Sequence, residues 1–169
     1  MKNIILILGT IGLISLSCSK EEQAALVNTL LPEKFTATIN DTAWSAVTRV
    51  TKKTEKGFSI SGTSSSGAIL DISTVGFDAK KYELSLDILD SAGLSATCAG
   101  VYKKSLTINT DDFYLAKKGD ITITNINTTD KTISGTFNFK MFKVDYATDI
   151  IKDSVVISSG AFADIKYTE

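Results

Sequence analysis

The chain has 169 residues, 43% of them hydrophobic and 22% charged, with a formal net charge of −1. That is material for one packed domain of ordinary size, and it argues against both a disordered, charge-dominated chain and a second domain. Lysines and carboxylates are interspersed without a basic stripe, which excludes a nucleic-acid partner, because phosphate binding needs a basic surface that releases counterions.

The N-terminus reads as an address. Met1, Lys2 and Asn3 give a short positive start, residues 4–16 form an almost unbroken apolar run, and Ser15 and Ser17 flank Leu16 just before Cys18. This is the three-part layout of a secretory signal peptide. The apolar run is about 13 residues, against the roughly 20 needed to span a bilayer as a helix, and no second such run follows.

Ser15-Leu16-Ser17-Cys18 resembles the bacterial lipobox, in which the cysteine sulfur takes a diacylglycerol, the peptide is cut just before it, and the new amine is acylated. The usual pattern has leucine three places before the cysteine and a small residue two before. Here Ser15 and Leu16 stand there, a displacement common in Bacteroidota-type lipoproteins. Ser19-Lys20-Glu21-Glu22 resembles the export signal that sends such lipoproteins to the outer face. These resemblances imply a signal peptide over residues 1–17, a lipidated tether over 18–34, and an outer-membrane, cell-surface location in preference to a periplasm-facing one. Each buried methylene of an acyl chain adds about 0.8 kcal/mol, so two or three chains hold durably where one does not.

With Cys18 lipidated, Cys98 is the one remaining thiol, and an internal disulfide is impossible. Cys98 shares strand parity with Leu94 and Ala96, which predicts a buried structural thiol. Residues 24–31 could form a short helix or a spacer before Pro32, the only proline of the chain. A single all-β domain is expected over residues 35–169.

From Phe35 onward apolar and polar residues alternate over short runs broken by Gly, Asn and Asp, the period of half-buried strands. Phe35, Ala37 and Ile39 share a face, and Asn40-Asp41 turns the chain into Trp44, Ala46 and Thr48, with Trp44 a core anchor. Phe58, Ile60 and Gly62 follow, then Leu70 and Ile72, then Tyr82, Leu84, Leu86 and Ile88. Residues 94–102 and 121–126 continue the series, the latter after an expected turn at Lys117-Lys118-Gly119-Asp120, with 113–116 a short edge strand. In residues 131–144, Ile133, Gly135, Phe137, Phe139 and Met141 share one face. Their expected partner is residues 154–167, where parity fails at Ser158-Ser159-Gly160 and predicts a bulge at Gly160. About nine strands with short connections predict an antiparallel meander, closed as a barrel or folded as a two-sheet sandwich, with the barrel preferred.

Phe35 to Trp44, Gly119-Asp120-Ile121-Thr122-Ile123-Thr124, and Ile133 to Phe139 followed by Ser159-Gly160-Ala161-Phe162 are similar to a family of uncharacterised Bacteroidota lipoprotein domains. The resemblance spans nearly the whole mature chain and implies no catalytic residues. The glycine that usually follows asparagine in the first turn is here Asp41.

Histidine is absent, so a Ser-His-Asp hydrolase lacks its general base, and a nucleophilic role for Cys98 lacks a partner. Glu83, Asp87 and Asp71 offer carboxylates for glycoside hydrolysis, but alternation turns them to solvent. Asp145, Asp149 and Asp153 lie in one loop and Asp111-Asp112 in another, without the spacing of a calcium loop. No cofactor, metal or enzymatic role is therefore expected. Asp41-Thr42-Ala43, Asp90-Ser91-Ala92 and Asp153-Ser154-Val155 resemble the Bacteroidota O-glycosylation pattern, with Thr42, Ser91 and Ser154 as acceptors.

Two roles fit these readings best. One is a non-enzymatic surface module binding a protein or glycan through loops at residues 64–66, 91–93 and 146–153. The other is a calycin-like carrier holding a small lipophilic ligand inside a barrel.

Overall fold

The computed structural model describes residues 34–85, 96–106, 113–145, 148 and 150–169. These form nine strands: β1 (Lys34–Ile39), β2 (Thr42–Lys53), β3 (Phe58–Ser64), β4 (Ile69–Thr74), β5 (Lys81–Ser85), β6 (Cys98–Lys103), β7 (Phe113–Asn127), β8 (Thr132–Asp145) and β9 (Ile150–Lys166). All pair antiparallel. Eight close a barrel in the order β1-β2-β3-β4-β6-β7-β8-β9, with β9 returning to β1. Closure rather than a sandwich leaves the ring without an open edge.

The ninth strand, β5, is an insertion. Residues 113–115 of β7 pair with β6, residues 118–122 of the same strand pair with β5, and β8 takes the other edge. Where β6 and β7 diverge, β5 fills the gap, held to the start of β6 by Thr97 N–H donating to Glu83 O at 3.2 Å.

The interior follows from the alternation. Every second residue of β1, β3, β4 and β5 is buried, as are Ile133, Phe137, Phe139 and Met141 of β8. Phe35 meets Trp44 edge-on at 5.2 Å and Phe137 at 5.6 Å, and Phe137 stacks on Phe162 at 6.4 Å. Glycines on facing strands make room for these rings. A Cβ on Gly62 would lie 2.5 Å from Phe35 Cδ1, one on Gly160 2.5 Å from Phe137 Cε2, and one on Gly100 2.9 Å from Met141 Cε. Large side chains opposite vacancies are how a small barrel fills its middle.

Four expectations change. The 117–120 stretch is not a turn: β7 runs through it, and a bulge between Ala116 and Lys118 keeps it paired to β8. The bulge expected at Gly160 sits one step earlier. Phe137 faces Gly160 and Phe139 faces Ile157, so Ser158 and Ser159 together oppose Asn138, with Ser159 at φ 49°. Thr48 is exposed because a register shift between Ala46 and Thr48 reverses parity. Cys98 is buried as expected but begins its strand, and Ala96 is exposed. Leu86, Ile88 and Leu94 fall outside the described residues.

The Asn40-Asp41 turn forms as expected, both residues at positive φ (44° and 61°), the pattern of a tight I′ hairpin. It lies at the end of the barrel that also carries the β3–β4 turn and the β8–β9 connection. The opposite end gathers the β2–β3 turn, residues 75–80, the β7–β8 turn, the start of β1 and the finish of β9, so β1 begins and β9 ends at the same pole.

Candidate functional site

Across the outside of β5, β7, β8 and β9 runs an open trough of about 530 Å³. Its floor is the cross-strand row Leu84, Gly119, Phe139 and Ile157. One wall is Glu83, Asp120, Asn138 and Ser158; the other is Ser85, Lys118, Lys140 and Val156. The bulge in β7 between Ala116 and Lys118 lies beside the trough. Gly119 sits at φ 144°, where L side chains are strained, and a Cβ on it would overlap Asn138 O.

The two walls differ electrically. Lys81 Nζ lies 3.0 Å from Glu83 and 3.7 Å from Asp120, and Asn138 Nδ2 donates to Asp120 at 2.9 Å. The hydrogen bond to Glu83, then the charge of Asp120, hold the Lys81 ammonium above its usual range. Lys81 offsets one of the two carboxylates, which leaves this wall one negative charge against the two lysines opposite. Lys118 and Lys140 stand directly opposite one another, a like-charge pair that disfavours the sheet. Lys140 rests 5.5 Å above the Phe142 ring, and neither lysine has a carboxylate partner among the described residues.

A second, smaller hollow of about 350 Å³ crosses β1, β2 and β9, lined by Thr36, Thr38, Ala43, Ser45 and Ser159. It carries hydroxyls and no charge.

At the pole of the Asn40-Asp41 turn, Tyr114 Oη donates to Asp153 Oδ2 at 2.6 Å, with Lys104 Nζ 3.5 Å from that carboxylate and 5.0 Å above the ring. Tyr114 is pushed up first by burial, and Asp153 is held below the usual carboxylate range first by the tyrosine. Asp145 is bound by Lys152 at 2.8 Å. Asp145 and Asp153 therefore answer to separate cations, and among the described residues no three His, Cys, Asp or Glu groups converge for a metal.

The other sequence-derived residues are dispersed. Thr42 is exposed at the start of β2, and Ser154 is exposed on β9 with its N–H donating to Asp153 Oδ1 at 2.8 Å. Glu83 is on the trough wall and Asp71 is half-buried on β4, three strands along the ring. Ser64 is buried, its hydroxyl accepting from Ala68 N–H at 3.1 Å, which leaves Ser65 and Ser66 exposed in that loop. Cys18, Ser19, Lys20, Glu21, Glu22, Asp87, Ser91, Asp111, Asp112 and Asp149 lie outside the described residues.

Cys98 Sγ donates to Tyr82 O at 3.3 Å, and burial pushes its thiol up to about 11. A thiol so protonated is a poor nucleophile.

The trough's charged residues were missed as a site because residues 117–120 read as a turn. The available signal was Gly119, one glycine inside an otherwise strand-like run.

The ring-filled interior and the charge-rimmed trough outside it define a small closed β-barrel domain of the antiparallel meander type. Residues 32–166 match a domain of unknown function, DUF6252, and the chain belongs to that family. No curated protein and no solved structure matches the chain.

Proposed function

We propose that this protein is a non-enzymatic binding module, anchored to the outer membrane through lipid on Cys18 and displayed at the cell surface, which holds a partner along the trough outside β5, β7, β8 and β9. The observation that carries the reading is the Lys118–Lys140 pair. Two lysines directly opposite one another on adjacent strands cost sheet stability, and such a cost is retained where function needs it. With one negative charge left on the facing wall, the charged groups of the trough sum to +1, which suits a linear chain bearing carboxylate or sulfate groups, an acidic glycan being the simplest. The four-strand width accommodates roughly 14 Å of it at about 4.8 Å per strand.

A lipophilic ligand inside the barrel is the weaker reading, because Phe35, Phe137, Phe139 and Phe162 stand where it would lie. The lipobox-like Cys18, the Ser19-Lys20-Glu21-Glu22 segment and the acceptor patterns at Thr42, Ser91 and Ser154 support export and surface display.

The test is capture on an array of acidic and neutral polysaccharides, comparing the wild-type chain with a Lys118→Glu, Lys140→Glu double variant. Capture of acidic members by the wild type alone, with no fall in melting temperature, supports the trough. Equal capture by both proteins rejects it.

A further inference from the structure

We propose that the pole where β1 begins is a second, independent contact surface, and that it docks onto the anionic phospholipid surface to which the chain is tethered. The inference rests on the lipid-anchor reading above. Residues 75–80 present Val75 and Phe77, exposed by 55% and 41%, on either side of Gly76 at φ 126°. Single exposed apolar residues are ordinary, but here two are held out together at one loop tip.

The loop is built to hold them out. Tyr82 Oη accepts from Asp78 N–H at 2.9 Å and donates to Asp78 O at 2.9 Å, closing the loop from below. Gly76 N–H donates to Lys56 O at 2.7 Å, joining it to the β2–β3 turn. The Phe77 ring meets Phe58 edge-on at 5.8 Å, which fixes its root while the ring stays partly exposed.

Basic residues surround this tip. Lys53 Nζ lies 5.7 Å above the Phe77 ring, and Lys53 and Lys131 share Glu169 at 3.7 and 3.6 Å. Lys34, Lys52, Lys56 and Lys166 are exposed at the same pole without a carboxylate partner among the described residues. With Lys80, seven lysines of this pole stand against the exposed carboxylates Glu55, Asp78, Asp130 and Glu169, so a chain of net charge −1 carries a local excess of positive charge around an apolar tip. Lysine amid exposed phenylalanine and valine is the composition that binds anionic lipid headgroups while inserting shallowly.

The covalent chain enters the barrel at this pole. Lys34 opens β1 at this pole, and the 15 residues between Cys18 and Lys34 lead to it. Lipid on Cys18 therefore pulls on this end of the barrel, and docking would turn the opposite pole outward and leave the side-wall trough accessible.

The experiment uses the membrane-extracted, acylated chain carrying Phe77→Trp, with Val75→Trp as a second reporter. It is reconstituted in vesicles of three parts phosphatidylcholine to one part phosphatidylglycerol, or of phosphatidylcholine alone, with brominated lipid as quencher. Trp44 is buried, and the parent chain supplies its background. Docking predicts quenching of either reporter on the anionic vesicles only, relieved by high salt. A Lys52→Glu, Lys56→Glu pair should weaken docking about fivefold per lysine or more. Sedimentation with both vesicles but no quenching on the anionic ones would overturn the docking alone. Failure of the chain to sediment with either vesicle would overturn the anchor, and the docking with it.

Discussion

Gly160 and Cys98 show how tightly single residues are set in this barrel. The space a side chain would fill at position 160 is taken by the Phe137 ring, so Gly160→Ala forces the ring or strand to move. Overpacking of that kind should cost about 1–3 kcal/mol, read as a lower urea midpoint at unchanged slope. Asp41→Gly should act the other way, gaining up to about 1 kcal/mol, because glycine adopts the positive φ of that turn without strain. Cys98 should resist alkylation at neutral pH in the native protein and react once unfolded. Its folded-state value of about 11 lies above that of an ordinary exposed thiol, so the unfolded chain ionises first. Stability should therefore be intact below pH 9 and fall as pH rises toward 11, by about 2 kcal/mol from this group. Cys98→Ala should remove that component, and an unchanged alkaline slope in the variant would contradict it.

Among the elements, β7 carries most of what alternation could not convey. Period-two patterning located β1, β3, β4, β8 and β9 and identified their inward faces, because each strand has one buried and one wet side. It failed at residues 117–120, where two lysines, a glycine and an aspartate have the composition of a turn. There the bulge, not a reversal, decides the path, and a bulge is a tertiary event set by the partner strand. The place of β5 was illegible for the same reason, since nothing local states which edge of β7 it joins. The trough inherits both misses, as its walls come from four strands whose register only pairing fixes. A single substitution separates its function from its stability. Lys118→Glu converts a like-charge pair into an opposite-charge one, and should raise stability by about 0.2–1 kcal/mol while weakening capture of acidic chains. Loss of stability in that variant would count against the reading of the lysine pair as a retained cost.

For the whole molecule the alternation allowed barrel or sandwich, and the glycine–ring complementarity shows why the barrel closes. Gly62, Gly100, Gly135 and Gly160 face inward against rings or Met141 from neighbouring strands, which fills the middle. A panel of fatty acids and other lipophiles should accordingly leave the melting temperature unmoved, since only a ligand bound to the folded state raises it. The proposed address resides in residues 1–34 and makes no use of the barrel, whose exposed trough and basic pole would act only once the chain is displayed. Native mass spectrometry of protein extracted from its own membrane tests this account most directly. It predicts a chain beginning at an acylated Cys18 and carrying no further lipophile. An unacylated or uncut chain, or a stoichiometric lipophile retained with the folded barrel, would contradict it.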